Sequence, residues 1–229
     1  MNPAGRQRLL LVGHGRMGRL VETLASDEGF AVAGIVTSQT AASDEWPSAD
    51  IAIDFSVADA VSSTVARLAR QRIPIVIGTT GWQHHEEAVR SLAAAAGIGV
   101  VSAPNFAIGV NIFLAAVERL GTLMAGQPSF GAWIEELHHA AKRDAPSGTA
   151  LAIEQRLRRQ GYAATVPIAS TRAGSIPGTH TLGFDAASET LTLTHQARDR
   201  AAFARGALLA ARWLEGRQGW FSMADVLGL

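Results

Sequence analysis

Residues 9–20 read LLLVGHGRMGRL, in which a short aliphatic run passes directly into a glycine-rich turn and an amphipathic segment. The turn fits the pattern G-x-G-x-x-G with Gly13, Gly15 and Gly18. Gly13 allows the tight turn, Gly15 lets the backbone approach a pyrophosphate, and Gly18 lets the helix pack closely against the strand. The N–H groups at the start of a helix attract such an anion. The stretch therefore predicts a strand, a turn and a helix that bind a dinucleotide.

Further buried strands follow the first at regular intervals. They read FAVAGIVT (30–37), ADIAIDFS (49–56), IPIVIGTTG (73–81) and GIGVVSAPNF (97–106). Helical segments of ten to fifteen residues separate the last three of these strands. Because strands that alternate with helices in this way form βαβ units, the pattern predicts an α/β fold with a Rossmann-type, doubly wound parallel sheet. Ligands bind such sheets at the carboxyl ends of the strands.

The pattern changes after residue 106. A long apolar helix over about 107–125 precedes a strand through WIEELH (133–138), and a helix opens near Ser147. Residues 164–196 alternate threonine with aliphatic residues, which indicates strands with one solvated or partner-covered face. We therefore expect a dinucleotide-binding domain over 1–106 and 198–229, and a smaller α+β domain with a mixed or antiparallel sheet over 107–197.

The composition excludes several classes of protein. The chain has 229 residues with 20 basic and 20 acidic side chains, so it carries no electrostatic signature of a nucleic-acid or polybasic membrane partner. It contains no cysteine, which excludes disulfides and thiolate metal sites. The apolar run near its start is too short for a signal peptide or a transmembrane span. A cytoplasmic protein is the expectation.

The end of the second strand bears on the choice of cofactor. An acidic residue that would bind the adenosine ribose of NAD is expected about 20 residues after the glycine loop. Thr37, Ser38 and Gln39 stand there instead, so no charge repels a 2′-phosphate. Arg16 and Arg19 are near in sequence. These residues favour NADPH weakly, and use of both NADPH and NADH is compatible with them.

A second motif, ELHHAAKRDAPSGT, occupies residues 136–149 and has three interpretations. A metal site is disfavoured because His138 and His139 are neighbours on a strand and point to opposite faces. The other histidines show no ligand spacing, so we expect no metal. A plain join between a strand and a helix, with Ser147 as the N-cap, accounts for the second half of the motif. It leaves the His-His-x-x-Lys array unexplained.

The third interpretation is a site for an anionic substrate that gains a proton. Backbone N–H groups of Ser147, Gly148 and Thr149 at a helix start form a carboxylate receptor. His138 exchanges a proton near neutral pH, and Lys142 adds a cation that binds a carboxylate or donates a proton. Asp144 could orient either group. With hydride from a nicotinamide, this pattern predicts the reduction of a small acid.

The motif resembles the signature of the dihydrodipicolinate reductase family, roughly E-x-H-H-x-x-K-x-D-A-P-S-G-T-A. Every fixed position is matched between Glu136 and Ala150. Other segments resemble family motifs in family order, and they extend the resemblance over nearly the whole chain. They are GRMGR (15–19), IDFS (53–56), VIGTTG (76–81), APNF (103–106), GVN (109–111), PGTH (177–180), LTLTHQA (191–197) and DVLGL (225–229).

The resemblance implies a fold, an activity and roles for individual residues. It implies reduction of 4-hydroxy-tetrahydrodipicolinate, a cyclic dicarboxylate, by NADH or NADPH in lysine and diaminopimelate synthesis. His138 would donate or accept a proton, Lys142 would be the second proton donor, and His139 would bind substrate carboxylates with the helix start. It also implies a homotetramer built through the sheet of the second domain. The residues that would line the cofactor site are Gly13, Gly15, Arg16, Met17, Gly18, Gly78, Thr79, Thr80, Ala103, Pro104, Asn105 and Phe106.

The chain departs from the family pattern at a few positions. Ala107 replaces a serine that usually follows Asn-Phe, and the connections over 38–49 and 156–165 are short. Two alternatives stay open, namely another two-domain amino or imino acid dehydrogenase of the aspartate dehydrogenase type, and a dinucleotide-sensing or assembly protein. Asp54 could cap a helix, and His195 could belong to the core, an interface or the substrate site. For Arg172, a surface position is expected.

Overall fold

The computed structural model describes residues 5–43 and 45–229, which form two compact units. The first unit contains the chain up to Ile108 together with Ala201–Leu229, and the second contains Gly109–Arg200. The second unit is therefore an insertion between two parts of the first. Within the described residues, none of the helices combines the length and the apolar character needed to cross a membrane.

The first unit is built on a six-stranded sheet in the order β10-β5-β4-β3-β1-β2. Every neighbouring pair in this sheet is parallel, which confirms the predicted Rossmann-type arrangement. Strand β10 lies in the C-terminal tail and was not predicted. The strands are β1 (Gln7–Val12), β2 (Phe30–Val36), β3 (Ile51–Asp54), β4 (Ile75–Ile77), β5 (Gly99–Ser102) and β10 (Gly219–Phe221).

Helices cover both faces of this sheet because successive side chains of each buried strand point in opposite directions. Leu9 and Leu11 of β1 pack with one set of helices, whereas Leu10 and Val12 pack with the other. The helices of the first face are α1 (Arg16–Ala25), α6 (Ala201–Leu214) and α7 (Met223–Leu227), and those of the second are α2 (Val61–Arg70) and α3 (Glu86–Ala96).

Helix α6 approaches the segment that follows β5 through a glycine. A Cβ atom on Gly206 would overlap the backbone carbonyl oxygen of Phe106, and this oxygen cannot move aside as the tip of a flexible side chain can. We expect Gly206→Ala to destabilise the protein by about 3 kcal/mol, the upper part of the range for overpacking. Urea unfolding followed by tryptophan fluorescence measures the effect. Gly126→Ala is the matched control, since a Cβ there meets nothing within 4 Å; equal losses in both variants would contradict the prediction.

The second unit has a four-stranded mixed sheet in the order β7-β6-β8-β9. Strand β6 pairs parallel with β7 and antiparallel with β8, which pairs antiparallel with β9. A mixed sheet was one of the two forms predicted. The elements are α4 (Ile108–Met124), β6 (Gly131–His138), α5 (Gly148–Arg159), β7 (Ile168–Arg172), β8 (Thr179–Asp185) and β9 (Thr190–Gln196).

The two faces of this sheet differ in character. Ile134, Glu136 and His138 alternate along β6 on the face that α5 covers, and all three are buried. The opposite face carries Trp133, which packs over Gly183, and a row of threonines on β8 and β9 that is partly or fully exposed. The covered face thus places two ionisable groups of one strand beside the start of α5.

Candidate active site

The site of the second unit begins with the carboxylate of Glu136, whose side chain is fully buried. The guanidinium of Arg172 donates to both carboxylate oxygens, at 3.0 and 2.7 Å. The backbone N–H of Ser147 donates to the same carboxylate at 3.2 Å, and Nδ1 of His138 contacts it as well. A buried carboxylate with this set of partners is ionised and accepts hydrogen bonds only.

These contacts fix the charge states of the pair. Burial alone would raise the pKa of Glu136, but hydrogen bonds from Arg172, Ser170 and His138 lower it to about 2. Burial lowers the pKa of His138 below its usual value, and the positive charges of Lys142 and Arg172 add to this effect, while Glu136 opposes it. Around neutral pH, Glu136 is therefore a carboxylate and His138 is largely a neutral imidazole.

His180 of β8 joins this group. Its Nε2 lies 3.0 Å from the hydroxyl of Ser147, and its ring meets that of His138 edge-on with 5.0 Å between centroids. Burial, followed by the charge of His138, lowers the pKa of His180 to about 4, so this ring stays neutral. His195 pairs with His180 across β8 and β9, and its ring lies 6.1 Å from that of Phe113 of α4.

Lys142 lies on the loop that connects β6 to α5. Its Nζ donates to both carboxylate oxygens of Asp144, at 2.7 and 2.8 Å, so Asp144 orients the lysine. The backbone carbonyl of Asp144 accepts a hydrogen bond from Arg172 at 2.6 Å. His139 is half-buried at the start of the same loop, and its carbonyl accepts from the N–H of Lys142 at 3.0 Å.

The start of α5 differs in one respect from the predicted carboxylate receptor. Ser147 is the N-cap as expected, and its hydroxyl accepts from the N–H of Ala150 at 3.2 Å. However, Ser147 is only 2% exposed, and its N–H donates to Glu136. Ser147 therefore bonds to groups inside the unit. Gly148 is exposed and Thr149 is half-buried, so these two stay accessible to an anion.

Among the described residues, one group could in principle hold a metal ion, because potential ligand atoms of Glu136, His138 and His180 lie within 4.8 Å of one another. This group was not considered from the sequence, since its members come from two strands. The carboxylate already accepts hydrogen bonds from Arg172, Ser147 and His138, which occupy the lone pairs that a cation would need. The arrangement therefore suits proton transfer better than metal binding.

The glycine loop of the first unit fits a dinucleotide. A Cβ atom on Gly13, where φ is +89°, would overlap the carbonyl of Phe55, and one on Gly18 would overlap the carbonyl of Gly13. Gly15 has nothing within 4 Å of its Cβ position and is the N-cap of α1, so backbone N–H groups face open space there. Such a cradle suits a pyrophosphate, and Arg16 and Met17 form the first turn of the helix.

Next to this loop lies a cavity of about 670 Å3 in which the end of β2 meets α2. Thr37, Ser38 and Gln39 line it together with Arg19 and Arg67. The N–H of Thr37 donates to the hydroxyl of Thr40 at 2.9 Å, which shapes the turn that follows β2. At the predicted ribose position the cavity wall therefore carries hydroxyl groups in place of an acidic side chain, and the guanidinium of Arg67 nearby donates to the backbone carbonyls of Ala41 and Ser43.

The other predicted cofactor residues follow β4 and β5, where the two strands end. Gly78 makes room for the ring of Phe55, with which a Cβ would overlap, and Thr80 is exposed. The hydroxyl of Thr79 donates inward to Asp54, at 3.0 Å. Ala103 and Phe106 are buried, Pro104 is exposed, and Asn105 accepts from the N–H of Ala107 at 2.9 Å.

Asp54 is a buried polar group that connects two strand ends. Its Oδ1 accepts from the N–H of Ser56 at 2.7 Å and from Thr79, so it ties the end of β3 to the end of β4. Burial raises the pKa of this carboxyl, and the hydrogen bonds from Ser56 and Thr79 oppose that rise. Asp54 is therefore part of the framework at the sheet edge and caps the turn after β3.

Sequence reasoning missed two members of the site in the second unit. Arg172 was expected at the surface, but only 17% of its side chain is exposed and its guanidinium clamps Glu136. His180 was counted among the histidines without metal-ligand spacing and lies in a family motif, but it was given no role in the site. The period of two along a strand already places Glu136 on the face of His138, but the partners from β7 and β8 depend on strand pairing.

Comparisons with known proteins agree with this architecture. The family model for the N-terminal part of dihydrodipicolinate reductase matches residues 7–106, and the family model for its C-terminal part matches residues 109–227. A 4-hydroxy-tetrahydrodipicolinate reductase from Acidiphilium cryptum is 40% identical over 235 residues, which cover 94% of this chain and 94% of the relative. One from Christiangramia forsetii is 32% identical over 231 residues, which cover 96% and 97%, respectively.

A solved structure resembles the whole chain. Dipicolinate-bound dihydrodipicolinate reductase from Paenisporosarcina sp. TG-14 matches with a TM-score of 0.79 and 20% identity, covering 96% of this chain and 99% of the other. At this identity the match concerns the fold. The family is shown by the two family models, which between them span most of the sequence, and by relatives above 30% identity. This chain belongs to the dihydrodipicolinate reductase family.

Proposed function

We propose that this chain reduces 4-hydroxy-tetrahydrodipicolinate to tetrahydrodipicolinate with hydride from a reduced pyridine nucleotide. The observation that carries the proposal is that His138 shares the carboxylate of Glu136 with the N–H of Ser147 at the start of α5, while the charge of Lys142 acts on His138. Proton-transfer groups and an accessible helix start together suit a dianionic substrate that must also exchange protons.

The overall reaction consumes one hydride and one proton and releases one water. Bound in the first unit, the pyridine nucleotide supplies the hydride. Gly148 and Thr149 would bind a substrate carboxylate through backbone N–H groups, and His139 would bind a carboxylate through its ring. His138 and Lys142 would move the protons that water loss and hydride addition require. Each of these roles rests on position in the family motif and on the contacts described above.

NADPH is the proposed preference, although NADH also fits. Thr37 and Ser38 offer hydroxyl groups where an acid would repel a 2′-phosphate, and Arg19 and Arg67 line the same cavity. Titrating NADPH and NADH against the protein, with nucleotide fluorescence as the readout, tests the preference.

The functional division and the assembly are part of the same proposal. The first unit would hold the cofactor, and the second would bind the substrate and form a homotetramer through its sheet. The threonine face of β8 and β9 supports this, because its side chains are partly or fully exposed and so are open to packing against another copy. Light scattering coupled to size-exclusion chromatography measures the mass of the assembly.

The proposed activity is tested with the product of dihydrodipicolinate synthase, generated in the cuvette, while NAD(P)H absorbance is followed. Rapid oxidation that depends on the synthase product supports the proposal. If neither cofactor is oxidised, the proposed function is wrong. L-Aspartate with NAD+ or NADP+ serves as the parallel substrate, because turnover with it alone would favour a dehydrogenase of the aspartate type.

Ligand binding should be coupled to proton uptake. Burial and the charges of Lys142 and Arg172 lower the pKa of His138, and two substrate carboxylates placed nearby would raise it again. At a pH between the pKa of His138 in the free protein and its higher pKa in the complex, the complex holds more protons than the free protein. Binding then takes up at most about one proton. Calorimetry of dipicolinate binding, repeated over a series of pH values in buffers of different ionisation enthalpy, measures this number and the pH range in which the uptake occurs. No uptake by the wild type, or the same uptake by His138→Gln, would contradict the prediction.

A further inference from the structure

The proposed reaction leaves two charged groups of the second unit without a role, namely the buried carboxylate of Glu136 and the guanidinium of Arg172. We propose that they are a positioning pair for both proton-transfer groups, in which Glu136 fixes the tautomer of His138 and Arg172 links Glu136 to the loop of Lys142. This inference rests on the proposed function, since positioning matters only where His138 and Lys142 transfer protons.

The tautomer follows from the carboxylate. Because an ionised Glu136 can only accept, the contact with Nδ1 of His138 requires a proton on Nδ1. The neutral imidazole then carries its lone pair on Nε2. That atom lies toward Gly178, where a Cβ would come within 3.1 Å of it, so the missing side chain leaves room beside Nε2. The exchangeable proton of His138 would therefore enter and leave through Nε2.

Arg172 keeps Glu136 from taking that proton. Its two hydrogen bonds to the carboxylate are the largest influence that lowers the pKa of Glu136, against the effect of burial. A carboxylate with a pKa of about 2 does not compete with imidazole for a proton near neutral pH. Glu136 thus orients His138 and stabilises its charged form without becoming a proton carrier itself.

The same guanidinium reaches the second proton-transfer group. The nitrogen of Arg172 that binds Glu136 at 2.7 Å also donates to the backbone carbonyl of Asp144 at 2.6 Å. The side chain of Asp144 in turn holds Nζ of Lys142. One planar, multidentate cation therefore connects the strand of His138 to the loop of Lys142, a geometry that lysine cannot reproduce.

Among the described residues, four charged or titratable groups face His138 and enter any pH measurement. Glu136 lies on the same strand, Arg172 on β7, His180 on β8 and Lys142 on the loop after β6. Arg172 and Lys142 lower the pKa of His138, while Glu136 raises it. Removing the negative charge of Glu136 must therefore move the ionisation of His138 to lower pH.

The first test needs no variant of the pair. Magic-angle-spinning NMR of protein labelled with 15N-histidine reports which ring nitrogen of each neutral histidine is protonated. His138→Gln identifies the signals of His138. We expect a protonated Nδ1 and an unprotonated Nε2 at pH 8. The opposite tautomer in the wild-type protein would overturn the proposal, whatever the outcome of activity assays.

The second test is Glu136→Gln. We expect kcat to fall by about two to four orders of magnitude, the range for general acid–base catalysis, whose upper end is reached when a general base loses the carboxylate that sets its tautomer. We also expect the limb of the pH–rate profile that belongs to His138 to move to lower pH. NADPH affinity should stay unchanged. Glu189→Gln, an exposed glutamate of the same unit in the β8–β9 turn, is the matched control. An unshifted limb with wild-type kcat would overturn the proposal.

The third test compares Arg172→Lys with Arg172→Met. The lysine keeps the charge but loses the fork, so we expect kcat to fall about tenfold in Arg172→Lys and further in Arg172→Met. The rates are expressed per site that binds dipicolinate, the proposed ligand of the second unit, which separates positioning from loss of folded protein in that unit. Wild-type kcat in Arg172→Lys would overturn the role of the paired guanidinium hydrogen bonds. If the wild type itself shows no turnover, the proposed function fails, and the NMR test still decides the tautomer.

Discussion

Replacing Lys142 with alanine is expected to lower kcat by about two to four orders of magnitude, the usual contribution of a proton-transfer group. Nζ of Lys142 is held by Asp144 on the loop between the strand of His138 and the start of α5. Its loss would remove a positive charge where a dianion gains a proton. Because Lys142 belongs to the second unit and the glycine loop to the first, the dissociation constant of NADPH should not change.

Stopped-flow single-turnover measurements with the synthase product separate this effect from product release. Arg143→Ala is the matched control, since Arg143 is the neighbouring cation and is exposed. We expect Arg143→Ala to keep the wild-type kcat. If NADPH binding collapsed in Lys142→Ala while kcat per bound cofactor persisted, the assignment of cofactor and substrate to separate units would be wrong.

The architecture of the first unit was largely predictable because its signals are local. The β-branched and aliphatic strands carry residues that are buried on both faces, and Gly13 and Gly18 occupy positions where a side chain would overlap backbone. Strand β10 escaped prediction for a physical reason. Three residues, Gly219–Phe221, make too short a pattern, and their structure comes from pairing with the edge of β5.

The site of the second unit was predictable only in part. His138, Lys142 and Ser147 lie in one continuous motif, and their spacing was enough to predict proton transfer at a helix start. Arg172 and His180 reach the site through the pairing of β6 with β7 and β8, which no local pattern specifies. The sequence also did not show that Glu136 is buried. For this reason it could not show that the N–H of Ser147 donates to that carboxylate instead of facing a substrate.

Replacing His138 with glutamine is expected to lower kcat by about 10²- to 10⁴-fold and to abolish proton uptake on ligand binding. Glutamine retains a hydrogen-bonding group of similar reach but cannot carry a proton between solvent and substrate. Glu136 would keep its bonds from Arg172 and Ser147, so the fold of the strand should persist. A His138→Gln enzyme with wild-type kcat would contradict the assignment of His138.

The adjacent histidine provides the sharpest comparison, since the two neighbours on the chain would act on different kinetic constants. His139→Gln removes a proposed carboxylate ligand whose contribution is the same in the ground state and the transition state, so we expect KM to rise and kcat to change little. His84→Gln, at an exposed position of the first unit, controls for the substitution itself. Steady-state kinetics over a range of pH distinguish the variants, because only His138→Gln should lose an ionisation from the profile. If His139→Gln lost that ionisation instead, the burial of His138 against Glu136 would mark a structural histidine, and the proton would travel through its neighbour.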